Sequence, residues 1–193
     1  MSATPHTDDF APSKSVVIIG MPGSGKSAVG RKLAARFSIP FHDSDEEVEA
    51  AAGMKIEQIF ERFGEAEFRK GERRVIGRLL DQPVHVLATG GGAFMDAETR
   101  ELIRSKAVSV WLRADLETLV ERTSRRSDRP LLKGGDAREI LKKLGAEREP
   151  FYSQADITVD SDNRPTDETV ERIVRALSDF TGKTGGKKSR AAS

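Results

Sequence analysis

Along this chain, short runs of consecutive apolar, largely β-branched residues alternate with longer stretches whose apolar positions recur every three or four residues. Val16–Ile19, Val84–Ala88, Ala107–Leu112 and Ile157–Val159 are such runs, and Phe41–Asp43 is a shorter fifth. Near-continuous hydrophobicity predicts strands covered on both faces. Helical spacing predicts helices over Lys26–Phe37, Asp45–Ala52, Ile56–Phe63, Glu65–Leu80, Ala97–Ser105, Leu116–Arg122, Ala137–Glu147 and Asp167–Phe180. Ser44 with Glu47 reads as a capping box, and Asp96, Asp115 and Thr166 stand where N-caps belong. Strands joined by helical crossovers of this length imply a five-stranded parallel sheet between two layers of helices, a three-layer α/β/α fold. The pattern fades at both ends. Residues 1–13 are small and polar, residues 181–193 are rich in Gly, Ser and Lys, and both are expected to be disordered around one domain at 14–180.

Composition narrows the classes of function. The 193 residues carry 32 Lys+Arg against 31 Asp+Glu, a formal net charge of +1, with the two signs interspersed. A general nucleic-acid binder carries a clear basic excess, so no nucleic-acid partner is expected. The absence of cysteine excludes disulfides, thiolate metal sites and cysteine nucleophiles. No apolar run approaches the length of a membrane span, and residues 1–15 lack the apolar core of a signal peptide, so a soluble cytoplasmic protein is expected. His6, His42 and His85 have no partners at metal-ligand spacing and are expected to be structural or exposed.

Chemistry enters with Gly20-Met-Pro-Gly-Ser-Gly25-Lys26-Ser27, which fits G-x-x-x-x-G-K-[ST] between the first strand and a helix marked by Val29, Leu33 and Phe37. Glycines let successive backbone N–H groups turn toward one anion, and the helix dipole adds positive charge at the same point. A purine nucleoside triphosphate with Mg²⁺ is the expected ligand. Lys26 would reach its β- and γ-phosphates, and the Ser27 hydroxyl would sit on the metal.

Four further segments carry candidate chemistry, and three of them admit two readings. Asp43 and Asp45 lie two apart at the carboxyl edge of a strand, where both would face the ligand crevice, Asp43 toward Mg²⁺ water and Asp45 toward a substrate hydroxyl; they fit equally well as competing helix caps. Arg69 and Glu72 share one helix face, whether as a surface ion pair or as a guanidinium oriented to grip a carboxylate or phosphate. Phe60, Phe63 and Phe68 are assigned to the core face of this stretch. Gly90-Gly91-Gly92 directly after a strand suits close approach of backbone to a ligand, or a flexible loop. The arginine-dense segment from Arg122 to Gly135 has the composition of a mobile lid over about 123–135.

Together these elements resemble the shikimate kinase family, P-loop kinases with a core of the nucleoside-monophosphate-kinase type. The resemblance runs from about Ser15 to Phe180. It rests on six motifs in family order: Gly20–Ser27, Asp43-Ser-Asp45, Phe68-Arg-x-x-Glu72, Gly90–Gly92, Arg129-Pro-Leu-Leu132 and Arg148-x-Pro-x-Tyr152. It implies ATP-dependent phosphorylation of shikimate to shikimate 3-phosphate, with a substrate-binding helical part at about 44–72. Asp45 would hold the reacting diol, Arg69 and Arg148 the carboxylate, and Gly90, Gly91 and Gly92 would lend backbone. Gly23, Ser24, Gly25, Lys26, Ser27, Ala28, Arg122 and Arg164 would bind nucleotide. Arg129 would be the lid arginine, catalytic together with Lys26 and Asp45, and Ser27 and Asp43 would hold Mg²⁺. A monomer is expected.

Two rival readings remain at this level: another small-metabolite P-loop kinase of the gluconate or nucleotide type, and a module that senses shikimate without turnover. Gly71 departs from a smooth helix beside Arg69 and predicts local looseness there.

Overall fold

The computed structural model describes residues 10–124 and 136–188. Its five strands are β1 (Ser15–Ile19), β2 (Phe41–Asp43), β3 (Val86–Ala88), β4 (Ala107–Arg113) and β5 (Ile157–Asp160). They form one parallel sheet in the order β2-β3-β1-β4-β5. The helices are α1 (Lys26–Phe37), α2 (Ser44–Ala52), α3 (Ile56–Leu80), α4 (Ala97–Lys106), α5 (Leu116–Ser124), α6 (Ala137–Tyr152) and α7 (Thr166–Lys188). Each side of the sheet has its own core. One gathers Val17, Ile19, Leu79, Leu87, Trp111 and Tyr152; the other gathers Val16, Ile18, Leu33, Val110, Ile173 and Leu177.

The three central strands are buried along almost their whole length, as continuous hydrophobicity requires. The edges differ: β2 is half-buried throughout, and in β5 Ile157 and Val159 are buried while Thr158 and Asp160 face solvent. An edge strand is covered on one side only, so the expectation of burial on both faces fails there.

Several local expectations are corrected. The cap of α2 is Asp43, whose carboxylate accepts the Asp45 N–H at 3.0 Å; Ser44 lies inside the helix. The stretch from Ile56 to Leu80 is continuous in outline, but Gly64 breaks its helical geometry with φ 76°. Gly71, by contrast, keeps helical geometry within α3. Phe60 and Phe63 are 37% and 56% exposed, since the segment before the Gly64 break stands away from the sheet and turns Ile59 inward instead. α6 runs through Pro150 to Tyr152, where the buried Tyr152 ring, 5.9 Å from the Trp111 ring, anchors a turn that proline alone would not hold. α7 continues past Phe180 to Lys188, with the Thr181 hydroxyl bonded back to the Leu177 carbonyl.

The connection β1-α1-β2 lies on one side of β1 and the crossover from β3 to β4 on the other. Loops leaving the neighbouring strands β2, β3 and β1 therefore open at one carboxyl edge, where ligands bind in sheets of this kind. Close packing of α1 on that edge depends on Gly30, because a Cβ there would stand 2.5 Å from the Phe41 ring. Replacing Gly30 with Ala is expected to cost about 1–3 kcal/mol by overpacking. Urea unfolding measures this, and a midpoint equal to that of the wild type would contradict the packing.

Candidate functional site

The loop after β1 is shaped by glycine. Gly23 and Gly25 adopt φ 87° and 94°, and Gly25 caps α1 without any side-chain cap bond. The N-terminal N–H groups of α1 are thus presented toward the crevice without a competing side chain, the arrangement that binds anions. Lys26 Nζ lies across the loop, donating to the carbonyls of Gly20 and Met21 at 2.9 Å each. The side chain of Ser24 is buried and directed toward Gly20, so this residue offers the crevice backbone only.

From this loop a cleft of about 400 Å³ extends along Gly23, Gly25, Lys26, Ser27, Ala28 and Arg122 to Ser161, Asp162 and Arg164. Arg122 fastens its walls together. Its guanidinium donates to the Ser24 carbonyl at 3.3 Å, to Ser161 Oγ at 2.9 Å and to the Asp162 carbonyl. Ser161 Oγ in turn donates to the Ser24 carbonyl at 2.8 Å. Arg164 is exposed at the rim and pairs with Asp162 at 3.2 Å. Ser161 and Asp162 were not singled out from sequence, and nothing in their spacing marks them.

At the other end of the phosphate loop, Ser27 Oγ donates to Asp43 Oδ2 at 2.7 Å. This bond joins α1 to the end of β2 and places two hard oxygen donors side by side, a donor set suited to Mg²⁺. Asp43 thus serves both as the cap of α2 and as the hydrogen-bond partner of Ser27. Asp45 is half-exposed as a residue, but burial of its carboxyl group and the Asp43 carboxylate raise its pKa, with Lys26 and Arg69 pulling the other way.

Gly90, Gly91 and Gly92 stand where four charged side chains converge. A Cβ on Gly90 would lie 2.6 Å from Asp45 Oδ1 and 3.0 Å from Glu72 Oε1. One on Gly91 would lie 2.8 Å from Arg148 Nη1 and 3.1 Å from Pro22 Cδ, and one on Gly92 would overlap the Arg69 guanidinium. The loop is therefore packed closely against charged side chains, as a flexible loop would not be. It also brings Asp45, Arg69 and Arg148 to a single wall beside the phosphate loop.

The guanidinium groups are held differently. Arg69 donates to Glu72 at 2.6 Å and to Glu65 at 3.3 Å, and lies 5.0 Å over the Phe68 ring. Glu72 is buried and Arg69 half-buried, so the pair is not a surface contact. Arg148 is only 9% exposed, and its buried Nη1 makes no hydrogen bond among the described residues. An interior guanidinium nitrogen without a partner is costly, and an anionic oxygen arriving at that point would satisfy it. Glu72, Ser44 and Tyr152 were not assigned to the site from sequence, although Glu72 and Tyr152 sit inside the motifs. Arg129 lies outside the described residues. Among the described residues no group of three or more His, Cys, Asp or Glu side chains is placed to hold a metal ion.

Comparisons with known proteins point the same way. A sequence model of the shikimate kinase family matches residues 22–178. The shikimate kinase of Caulobacter vibrioides (strain NA1000 / CB15N) is 54% identical over 173 residues, covering 89% of this chain and 86% of that protein. The structure of shikimate kinase from Acinetobacter baumannii in complex with shikimate superposes with a TM-score of 0.82 at 33% identity, over 88% of this chain and 96% of that one. A gluconokinase from Sinorhizobium meliloti 1021 gives a TM-score of 0.64 at 19% identity, over 90% and 97% of the two chains, which is a likeness of fold alone.

Burial raises the Glu72 pKa from 4.5 to about 7, aided by the Asp45 and Asp96 carboxylates and opposed by Arg69. Because the folded-state value lies above the unfolded one, the stability that Glu72 contributes is full below about pH 4.5 and lost as pH rises through about 7. Relative to a Glu72→Gln variant, which does not titrate, the wild type is expected to lose up to about 3 kcal/mol between pH 4.5 and 8. Urea unfolding of both proteins across that range measures the difference, and a constant offset would contradict a buried, titrating Glu72.

Proposed function

The chain belongs to the shikimate kinase family, and we infer that it performs the family's reaction, transfer of the γ-phosphoryl group of ATP to the 3-hydroxyl of shikimate, at the wall built around Gly90–Gly92. It is an ATP-using phosphotransferase whose products are ADP and shikimate 3-phosphate. The observation that carries the assignment of residues is the meeting of Asp45, Arg69 and Arg148 on one glycine loop next to the phosphate loop. A small polyhydroxy acid needs a hydroxyl acceptor and a cationic clamp a few ångströms apart, and a nucleotide base does not.

In this reading, the N–H groups of Gly23, Ser24 and Gly25 and the start of α1 at Lys26, Ser27 and Ala28 hold the β- and γ-phosphates of ATP. The nucleoside extends along the cleft past Arg122 toward Arg164. Lys26 leaves the loop carbonyls it contacts here and turns toward the γ-phosphate. Asp45 accepts a hydrogen bond from the shikimate hydroxyl and directs it at phosphorus. Arg148, with its unsatisfied Nη1, and Arg69, steadied by Glu72, receive the carboxylate. Phosphoryl transfer calls for little covalent participation by the protein, so position and charge carry the rate.

Ser27 and Asp43 would hold Mg²⁺, and their 2.7 Å contact supports that pairing. The ion's chemistry is neutralisation of charge building on the phosphate oxygens. Arg129, from the lid motif, would add a further positive charge over the γ-phosphate. Among the described residues no helix is long and apolar enough to cross a membrane.

Purified protein supplied with ATP and Mg²⁺ is expected to release ADP when shikimate is added, and not when gluconate or a nucleoside monophosphate replaces it. ADP release that follows gluconate instead would overturn the substrate. Lys26→Ala is expected to lower kcat roughly 10³-fold in a folded chain, and turnover near that of the wild type would remove Lys26 from the mechanism. Arg148→Ala is expected to raise the shikimate KM by at least about tenfold while leaving that for ATP unchanged. Equal changes in both constants would count against the clamp.

A further inference from the structure

We propose that two buried hydroxyl groups, those of Ser44 and Tyr152, are positioning residues that lock the Gly90–Gly92 loop so that its remaining N–H groups and Arg148 face the acid substrate. The proposal rests on the reading that this loop receives shikimate. It adds residues from two other elements, the start of α2 and the end of α6, neither of which need touch the ligand.

A run of three glycines is the least constrained backbone a chain can have. Here it is fixed almost group by group. Ser44, fully buried, accepts the Gly90 N–H on its Oγ at 3.0 Å. The Gly90 carbonyl accepts the Ala93 N–H at 3.1 Å, and the Gly92 carbonyl accepts the Met95 N–H at 3.1 Å. The Gly91 carbonyl accepts the Tyr152 hydroxyl at 2.5 Å. Backbone turns explain the second and third of these bonds. The first and last come from distant side chains, 46 and 61 residues away in sequence.

The direction of these bonds decides what is left. One N–H and all three carbonyls are engaged, so the loop presents N–H donors, those of Gly91 and Gly92, and no carbonyl oxygen to repel an anion. Both locks also begin beside substrate-facing groups. Ser44 precedes Asp45, so its bond ties the hydroxyl acceptor to the loop. Tyr152 lies one helical turn after Arg148, with its hydroxyl within reach of that guanidinium, and is 1% exposed. The Tyr152 bond therefore sets the spacing between Gly91 and Arg148, whose Nη1 would meet a Gly91 Cβ at 2.8 Å. A purely structural tyrosine needs only some acceptor; this one takes the carbonyl of the loop glycine that packs against Arg148.

Tyr152→Phe and Ser44→Ala each remove one hydroxyl and keep the packing around it, including the Tyr152 ring beside Trp111. Each variant is expected to raise the shikimate KM about tenfold while the ATP KM stays within about twofold. In the free protein, amide hydrogen exchange at Gly90 in Ser44→Ala, and at Ala93 in Tyr152→Phe, is expected to quicken about tenfold. An unchanged shikimate KM in both variants, or equal rises in both KM values, would overturn the proposal. So would unchanged exchange at both amides. The exchange measurement needs no turnover: a wild type inactive with shikimate but with the expected exchange changes would defeat the functional reading and leave the lock standing.

Discussion

The site depends on the absence of three Cβ atoms. Between Thr89 and Ala93 the chain passes so close to Asp45, Glu72, Arg148 and Arg69 that methyl groups on Gly90, Gly91 and Gly92 would occupy the space of carboxylate and guanidinium atoms. That closeness lets opposite charges gather on one wall without opening a water-filled gap. It also makes burial the dominant electrostatic fact, raising the pKa of both Asp45 and Glu72 despite arginine neighbours. Arg69 and Glu72 compensate each other there, whereas Arg148 is left with a nitrogen unsatisfied. Such a wall is organised before any substrate arrives, which is where a reaction governed by position and charge finds most of its rate.

The sheet supplies the frame. β2, β3 and β1 are neighbours, so the Asp43–Asp45 segment, the glycine loop and the phosphate loop leave the same edge side by side. Ser27 with Asp43 bridges the first and third of these, and Ser44 with Gly90 bridges the first and second. Pro22 against Gly91 closes the set by packing the phosphate loop onto the glycine loop. Arg122 in turn ties the wall of the adjoining cleft to the same phosphate loop.

Much of this was legible in the sequence because it depends on local pattern. Continuous β-branched runs located the strands, and Gly20–Ser27 lies, as expected, between the end of β1 and the start of α1. Gly64 was readable as the break in α3. What escaped depends on contacts across the fold. Ser44 looked like a cap, but its hydroxyl is committed to Gly90, 46 residues away. Phe60 and Phe63 have core spacing, yet the Gly64 kink carries their segment away from the core, and periodicity has no means of reporting that. Pro150 reads as a helix end, while the burial of Tyr152 carries α6 through it. Ser161 and Asp162 line the cleft beside Arg122 only because β5 lies beside β4, a fact of topology with no local trace.

In the function proposed above, the acid substrate is held against Arg148 at the bare backbone face of Gly91. The most direct measurement of this is the steady-state kinetics of Gly91→Ala, a substitution of one methyl group at a position with ordinary backbone angles. In this variant kcat/KM for shikimate is expected to fall by about 100-fold or more while the affinity for ATP is retained. A Gly91→Ala enzyme with wild-type kcat/KM for shikimate would contradict it.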